Sequence, residues 1–108
     1  MVSKVIITNR AQSQLEDYTA YILLIKENPE AANAVLEDAL ATRDELLKVA
    51  DSLRLCDDED LAALGYRRIS FRKHDYFFLY RVIGDIAYVE AVYHELQYFE
   101  KHFKDEVL

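Results

Sequence analysis

Five cations fall within one short stretch of this chain, and theirs is the chemistry that most needs explaining. Residues 66–83 carry Arg67, Arg68, Arg72, Lys73 and Arg81 against Asp75 alone, a local balance of +4. The rest of the chain holds 8 basic and 19 acidic residues, a balance of −11, so the whole carries −7. An acidic protein does not attract nucleic acid through its overall field. A positive strip on a negative body suits a local anionic partner, either a phosphate backbone or an acidic protein segment. The competing reading is that these arginines neutralise the chain's own acidic helices. His94 follows the strip and has the residue type for general acid–base work, since an unperturbed imidazole titrates near 6.5; its structural alternative is a packed strand-end histidine. Tyr88 and Tyr98 are placed to stack on a base or a partner ring, and Glu90 is placed to pair with Arg81.

Other chemistries find less support. Three scattered histidines and one cysteine, Cys56, do not form a zinc spacing. No base or oxyanion site accompanies Cys56 to make it a nucleophile. There is no Gly-rich phosphate loop. We therefore expect no metal and no cofactor. His74 reads as a loop residue and His102 as a solvated helix residue.

The elements that must position these side chains follow from periodicity. Residues 66–71, 76–83 and 86–93 are rich in β-branched and aromatic types and read as three consecutive strands. Gly84-Asp85 separates the last two, and Gly first suits a type II′ turn. That turn sets Ile83 opposite Ile86, Arg81 opposite Tyr88, Leu79 opposite Glu90 and Phe77 opposite Val92, a mixed, half-open face that carries Arg81, Tyr88 and Glu90 with His94 just past the strand end. The other face then holds Tyr76, Phe78, Tyr80 and Val82 with Ala87, Val89, Ala91 and Tyr93. It carries no charge and is the face to bury against helices.

Residues 3–8 read as a short strand in the same sheet, and Asn9 can cap the helix that follows. Residues 11–26 place Leu15, Tyr18, Ile22 and Ile25 on one helical face. Asn28 can cap a second helix with Pro29 at its first position. That helix runs over 29–51, with Ala32, Val35, Ala39, Thr42, Leu46 and Val49 along one stripe and Leu36, Leu40 and Leu47 beside it. The acidic run at 57–60 reads as a loop or a helix start, and 61–64 as one helical turn ended by Gly65. Residues 95–105, with Leu96, Phe99 and Phe103, read as a short terminal helix. The fold class is α+β: an N-terminal strand, a helical hairpin packed on a mostly antiparallel sheet, and a short C-terminal helix.

The totals fit one domain over 1–108, with 52% hydrophobic residues and few glycines or prolines. No apolar run approaches the ~20 residues of a membrane span, and the opening residues do not form a signal peptide. The expectation is a soluble cytoplasmic protein without a membrane partner.

Three pieces of the strand block carry a resemblance. Gly65-Tyr66-Arg67-Arg68-Ile69, then Tyr76 through Tyr80-Arg81-Val82, then Val92-Tyr93-His94 occur in the order and spacing of the RelE/ParE superfamily. These are bacterial toxins of type II toxin–antitoxin modules, and the chain resembles them over nearly its whole length. The resemblance implies a small cytoplasmic toxin, neutralised by an antitoxin encoded beside it. It also implies one of two mechanisms. One branch cleaves messenger RNA on the ribosome, through attack of the 2′-hydroxyl assisted by basic residues, a histidine or carboxylate, and a late tyrosine. The other inhibits DNA gyrase. Under the ribonuclease reading the matching residues are Arg68, Arg81, His94 and, displaced, Tyr98. Phe77 stands where that branch often has an arginine, and Glu95-Leu96 replace its next arginines. These departures turn the expectation towards the gyrase-inhibiting branch and binding of a protein, with Arg67, Arg72, Lys73, Tyr88 and Glu90 as contact residues. A degenerate, non-toxic member that only binds a partner is the third reading.

Overall fold

The computed structural model describes residues 1–107. Its elements run β1 (Lys4–Ile7), α1 (Asn9–Leu24), α2 (Pro29–Val49), α3 (Glu59–Ala63), β2 (Arg67–Ser70), β3 (Tyr76–Ile83), β4 (Ile86–His94) and α4 (Phe99–Val107). The strands form one sheet in the order β1-β4-β3-β2. β1 runs parallel to β4, and the other two pairings are antiparallel. The α+β architecture is the one the sequence predicts. No helix among the described residues is long and apolar enough to cross a membrane.

Caps and turns fix where the elements begin. α1 is capped by Thr8, whose Oγ1 accepts from the Ala11 N–H at 3.3 Å, so Asn9 is a helical residue and not the predicted cap. Asn28 does cap α2, its Oδ1 accepting from the Ala31 N–H at 3.0 Å, with Pro29 entering the first turn. Gly84 sits at φ +64° while Asp85 stays at negative φ, as a type II′ turn requires. A Cβ at Gly84 would meet nothing within 4 Å. Gly84→Ala is therefore expected to cost only the backbone strain, about 1–2 kcal/mol in urea denaturation, with no packing penalty.

β3 lies between β2 and β4, and both its faces are covered. Phe77, Phe78, Leu79 and Tyr80 are all fully buried. Each such side chain stabilises the fold by on the order of 1.5–3 kcal/mol. One face packs on the helical hairpin: Phe78, Tyr80, Val89 and Val92 meet Leu15, Val35, Ala39 and Leu46. The other face, expected to be mixed and half open, forms a second core. There Phe77, Leu79, Ala91 and Tyr93 lie with Cys56, Leu61 and Tyr66, closed by Phe99 and Phe103 of α4.

The register explains why the sequence misplaced that face. Ile83–Ile86 and Arg81–Tyr88 pair as predicted, but a bulge falls between Leu79 and Tyr80. Tyr80 pairs with Val89 and Leu79 with Ala91, so Glu90 is the extra residue and Phe77 meets Tyr93 instead of Val92. Without the bulge Glu90 would oppose Leu79 inside a core, where a carboxylate is costly. With it, Ala91 and Tyr93 move to the second core and Val92 to the hairpin core.

Smaller corrections follow the same logic. The terminal helix starts at Phe99 and not at residue 95, because His94, Glu95, Leu96 and Gln97 are held in a turn: the Leu96 N–H donates to His94 Nδ1 at 3.2 Å and the Gln97 N–H to the His94 carbonyl at 3.0 Å. Leu96 is consequently 88% exposed and takes no part in packing. Ile25, past the end of α1, is also exposed, as are Leu40 and Leu47 on the outer side of α2. The acidic run starts α3: Asp58 caps it through the Leu61 N–H at 3.1 Å. Lys104 then ties α4 to Asp58 at 2.8 Å and Asp60 at 3.1 Å.

Candidate functional site

The predicted cations do not form one open patch. β2 alternates, so Arg67 and Arg68 leave on opposite faces of the sheet. Arg67 lies on the hairpin side and donates to the carbonyls of Ala50 (3.2 Å) and Asp51 (2.8 Å), where α2 ends. It stabilises a helix C-terminus, whose carbonyls carry partial negative charge. Arg72 donates to Glu45 at 2.8 Å. Lys73 offers its backbone N–H to Asp38 at 3.0 Å.

Arg68 and Arg81 share the second sheet face, each over an aromatic ring. The Arg68 guanidinium lies 3.7 Å from the Phe77 ring centre and 5.3 Å from that of Phe99. Arg81 lies 4.9 Å from the centre of Tyr66. Each is also paired: Arg68 with Glu95, which Ser70 supports at 2.9 Å, and Arg81 with Glu90 at 2.6 Å. The predicted Arg81–Glu90 pair is therefore present. The bulge lets Glu90 reach Arg81 with one oxygen and accept from the Tyr66 hydroxyl with the other, at 3.1 Å. Burial, the Glu90 charge and that hydrogen bond push the Tyr66 phenol up to about 12. It is a fixed donor at neutral pH and no base. Tyr88 joins Arg81 and Glu90, with Thr8 and Ile83, around a cavity of about 250 Å³.

His94 and Tyr98 are not part of this constellation. His94 pairs with Tyr76 across β3–β4 and stacks edge-on against it, 5.3 Å between ring centres, on the hairpin side of the sheet. The bulge is again the reason, because it changes which residues of late β4 share a face with Arg81. Tyr98 is 79% exposed in the turn before α4. Cys56 is buried, and burial pushes its thiol up to about 11, the opposite of what a nucleophile needs. Among the described residues no cluster of three or more His, Cys, Asp or Glu could hold a metal ion.

Sequence reasoning missed the carboxylate partners Glu95 and Asp38. Asp38 falls in step with Val35 and Thr42 on the buried stripe of α2, and its position there was the available signal. Its side chain is 2% exposed and lies 2.8 Å from His74 Nδ1. Burial works to raise the Asp38 pKa. The His74 and Lys73 hydrogen bonds and the His74 charge outweigh it and hold the carboxyl below its ordinary value.

With this geometry in hand, the comparisons with known proteins are specific. Residues 5–99 match the family described as the ParE toxin of the type II toxin–antitoxin system parDE. The chain belongs to the ParE toxin family. Its fold is similar to a chain of the solved structure described as "Chromosomal ParDE TA system from P. aeruginosa", with a TM-score of 0.67 and 23% identity over 87% of this chain and 96% of that one. No curated protein matches its sequence. The ParE match runs from Val5 to Phe99, the first residue of α4, so it contains β2, β3, β4, all of β1 but Lys4, and both arginine–carboxylate pairs of the second face. As a ParE-family toxin, this chain carries its positive strip with most of the charge already answered from within.

Proposed function

We propose that this toxin acts in the cytoplasm by binding a protein target, in the manner of a gyrase inhibitor, and that an antitoxin encoded beside it neutralises it. The observation that carries the reading is the internal pairing of Arg68 with Glu95 and Arg81 with Glu90. Turning either guanidinium to a phosphodiester would give up a charge-assisted hydrogen bond worth about 1.5–3 kcal/mol. The acid–base candidate His94 lies on the other side of the sheet from them. A ribonuclease site needs cations and a proton acceptor converging on one phosphate, and this arrangement supplies neither together. A protein surface makes no such demand. Tyr88 and Ile83 beside the Arg81–Glu90 pair offer apolar area with fixed polar groups, the composition of a protein contact. The antitoxin is expected to cover part of the exposed sheet edge or its flanking helices with an extended or helical segment.

Pulse-labelling just after induced expression tests the reading. DNA synthesis is expected to fall before protein synthesis, and purified toxin to block supercoiling by gyrase. Early loss of protein synthesis, with supercoiling untouched at high toxin excess, would overturn it in favour of a ribosome-dependent ribonuclease. Loss of neither would mark a non-toxic, partner-binding member.

A further inference from the structure

A cavity of about 560 Å³ opens on the hairpin side of the sheet, away from the second-face arginines. Its apolar lining comes from Ile22, Val35 and the ring of Tyr76. Its polar lining is unusual for an acidic protein: Lys26, Lys73, His74 and His94 line it, with Asp75 the one carboxylate among the lining residues, and the Lys26 ammonium lies 5.8 Å from the centre of the Tyr21 ring. An apolar floor with a few convergent polar groups is the composition of a small-molecule site.

The two imidazoles are oriented by their own hydrogen bonds. The Asp38 carboxylate, 2.8 Å from His74 Nδ1, fixes a proton on that nitrogen and leaves Nε2 for a ligand. His94 Nδ1 accepts from the Leu96 N–H at 3.2 Å, so in the neutral ring Nε2 carries the proton and donates. Lys73 is held in place by its own backbone N–H on Asp38, at 3.0 Å. Neither lysine ammonium has an ion-pair partner among the described residues. Asp38 thus positions two of the four groups from beneath while its own charge is spent on His74.

We propose that this cavity binds a small phosphorylated ligand with a planar body, such as a nucleoside monophosphate. The phosphate accepts from Lys26, Lys73 and the His94 Nε2–H, a phosphate hydroxyl donates to His74 Nε2, and the planar ring lies against Tyr76, Ile22 and Val35. A phosphate monoester presents three acceptor oxygens and up to two charges, which suits two ammonium groups and the His94 Nε2–H better than a single carboxylate does. The site stands apart from the proposed protein-binding face, and its test does not depend on the toxin's target.

Amide and histidine NMR shifts of the full chain, titrated with inorganic phosphate and with adenosine 5′-monophosphate at one fixed pH, give the test. Saturable shifts are expected around residues 26, 73–76 and 94, with the nucleotide at least about tenfold tighter than phosphate if the floor takes the ring. The double variant Lys73→Gln/His94→Gln should weaken binding at least about tenfold. Asp75→Asn should tighten it about threefold by removing the opposing charge, a gain that a damaged fold cannot produce. Absence of saturable shifts with either probe, or binding indifferent to all these substitutions, would overturn the proposal.

Discussion

Replacing Phe103 with alanine is expected to release α4 and to speed thiol labelling of Cys56 by about 10²–10³-fold, from a packing loss of about 3–5 kcal/mol. The reasoning starts from length. α4 has nine residues, too few to be stable alone in water. It holds through tertiary contacts: Phe99 and Phe103 inside the second core, Lys104 on Asp58 and Asp60, and Arg10 on Glu106. Phe103 is fully buried and meets the Tyr66 ring edge-on at 5.0 Å. The exposed ion pairs add little by comparison. Losing Phe103 therefore removes most of what keeps the helix down, and the loss is local before it is global. Cys56 lies in the same core, and burial holds its thiol at about 11. Opening restores both access and thiolate, so labelling at fixed pH reads the opening directly. His102→Ala, on the exposed side of the same helix, is expected to leave the rate within about twofold, as surface substitutions do. An unchanged rate in Phe103→Ala would mean that α4 does not cover this core.

That second core also marks the limit of what the sequence could tell. The strands, the Gly84 turn, the Asn28-Pro29 start of α2 and the stripe from Ala32 to Leu46 are local patterns, and each was legible. The bulge was not. One extra residue in β4 has no composition of its own, yet it reverses the face of every residue beyond it. Phe77 and Leu79 were therefore read as the apolar half of a mixed face when they lie at the centre of a core. Burial of β3 on both sides is what the unbroken run Phe77-Phe78-Leu79-Tyr80 was signalling, since a half-exposed strand would alternate.

The candidate site divides along the same line. The concentration of charge was legible because it is a count. Its neutralisation was not, because the partners are distant in sequence: Arg68 and Glu95 are 27 residues apart, as are Arg72 and Glu45. Arg81 and Glu90 are only nine apart on a recognisable hairpin, and that pair alone was foreseen. His94 was assigned to the wrong side by the same one-residue shift. Ion pairs across a fold are set by topology, so composition can announce a basic strip without saying whether it is free.

Asp38 shows what a single buried charge does in this framework. Asp38→Ala is expected to cost about 2–4 kcal/mol at pH 7, because it leaves the Lys73 N–H and the His74 ring without their acceptor. The size of the loss follows from position. The side chain is 2% exposed, and it is the stitch between α2 and the loop that delivers Lys73 and His74 to the cavity. The pH dependence has a definite sign. The native carboxyl titrates below its ordinary value of 3.8, so in acid the unfolded chain binds the proton more readily than the native one. Stability from this group is complete above about pH 4 and drains away as the pH falls through the lower native value. Asp58, Asp85 and Glu45 are also held below their ordinary values, so the acid slope of the parent chain is shared. Only the difference between parent and variant isolates Asp38. Urea denaturation at pH 7, 4 and 2.5 is expected to give a gap that is large at pH 7 and smaller at pH 2.5 than at pH 4. A gap constant across that range would mean that the loss is one of packing, with the carboxylate's charge contributing nothing.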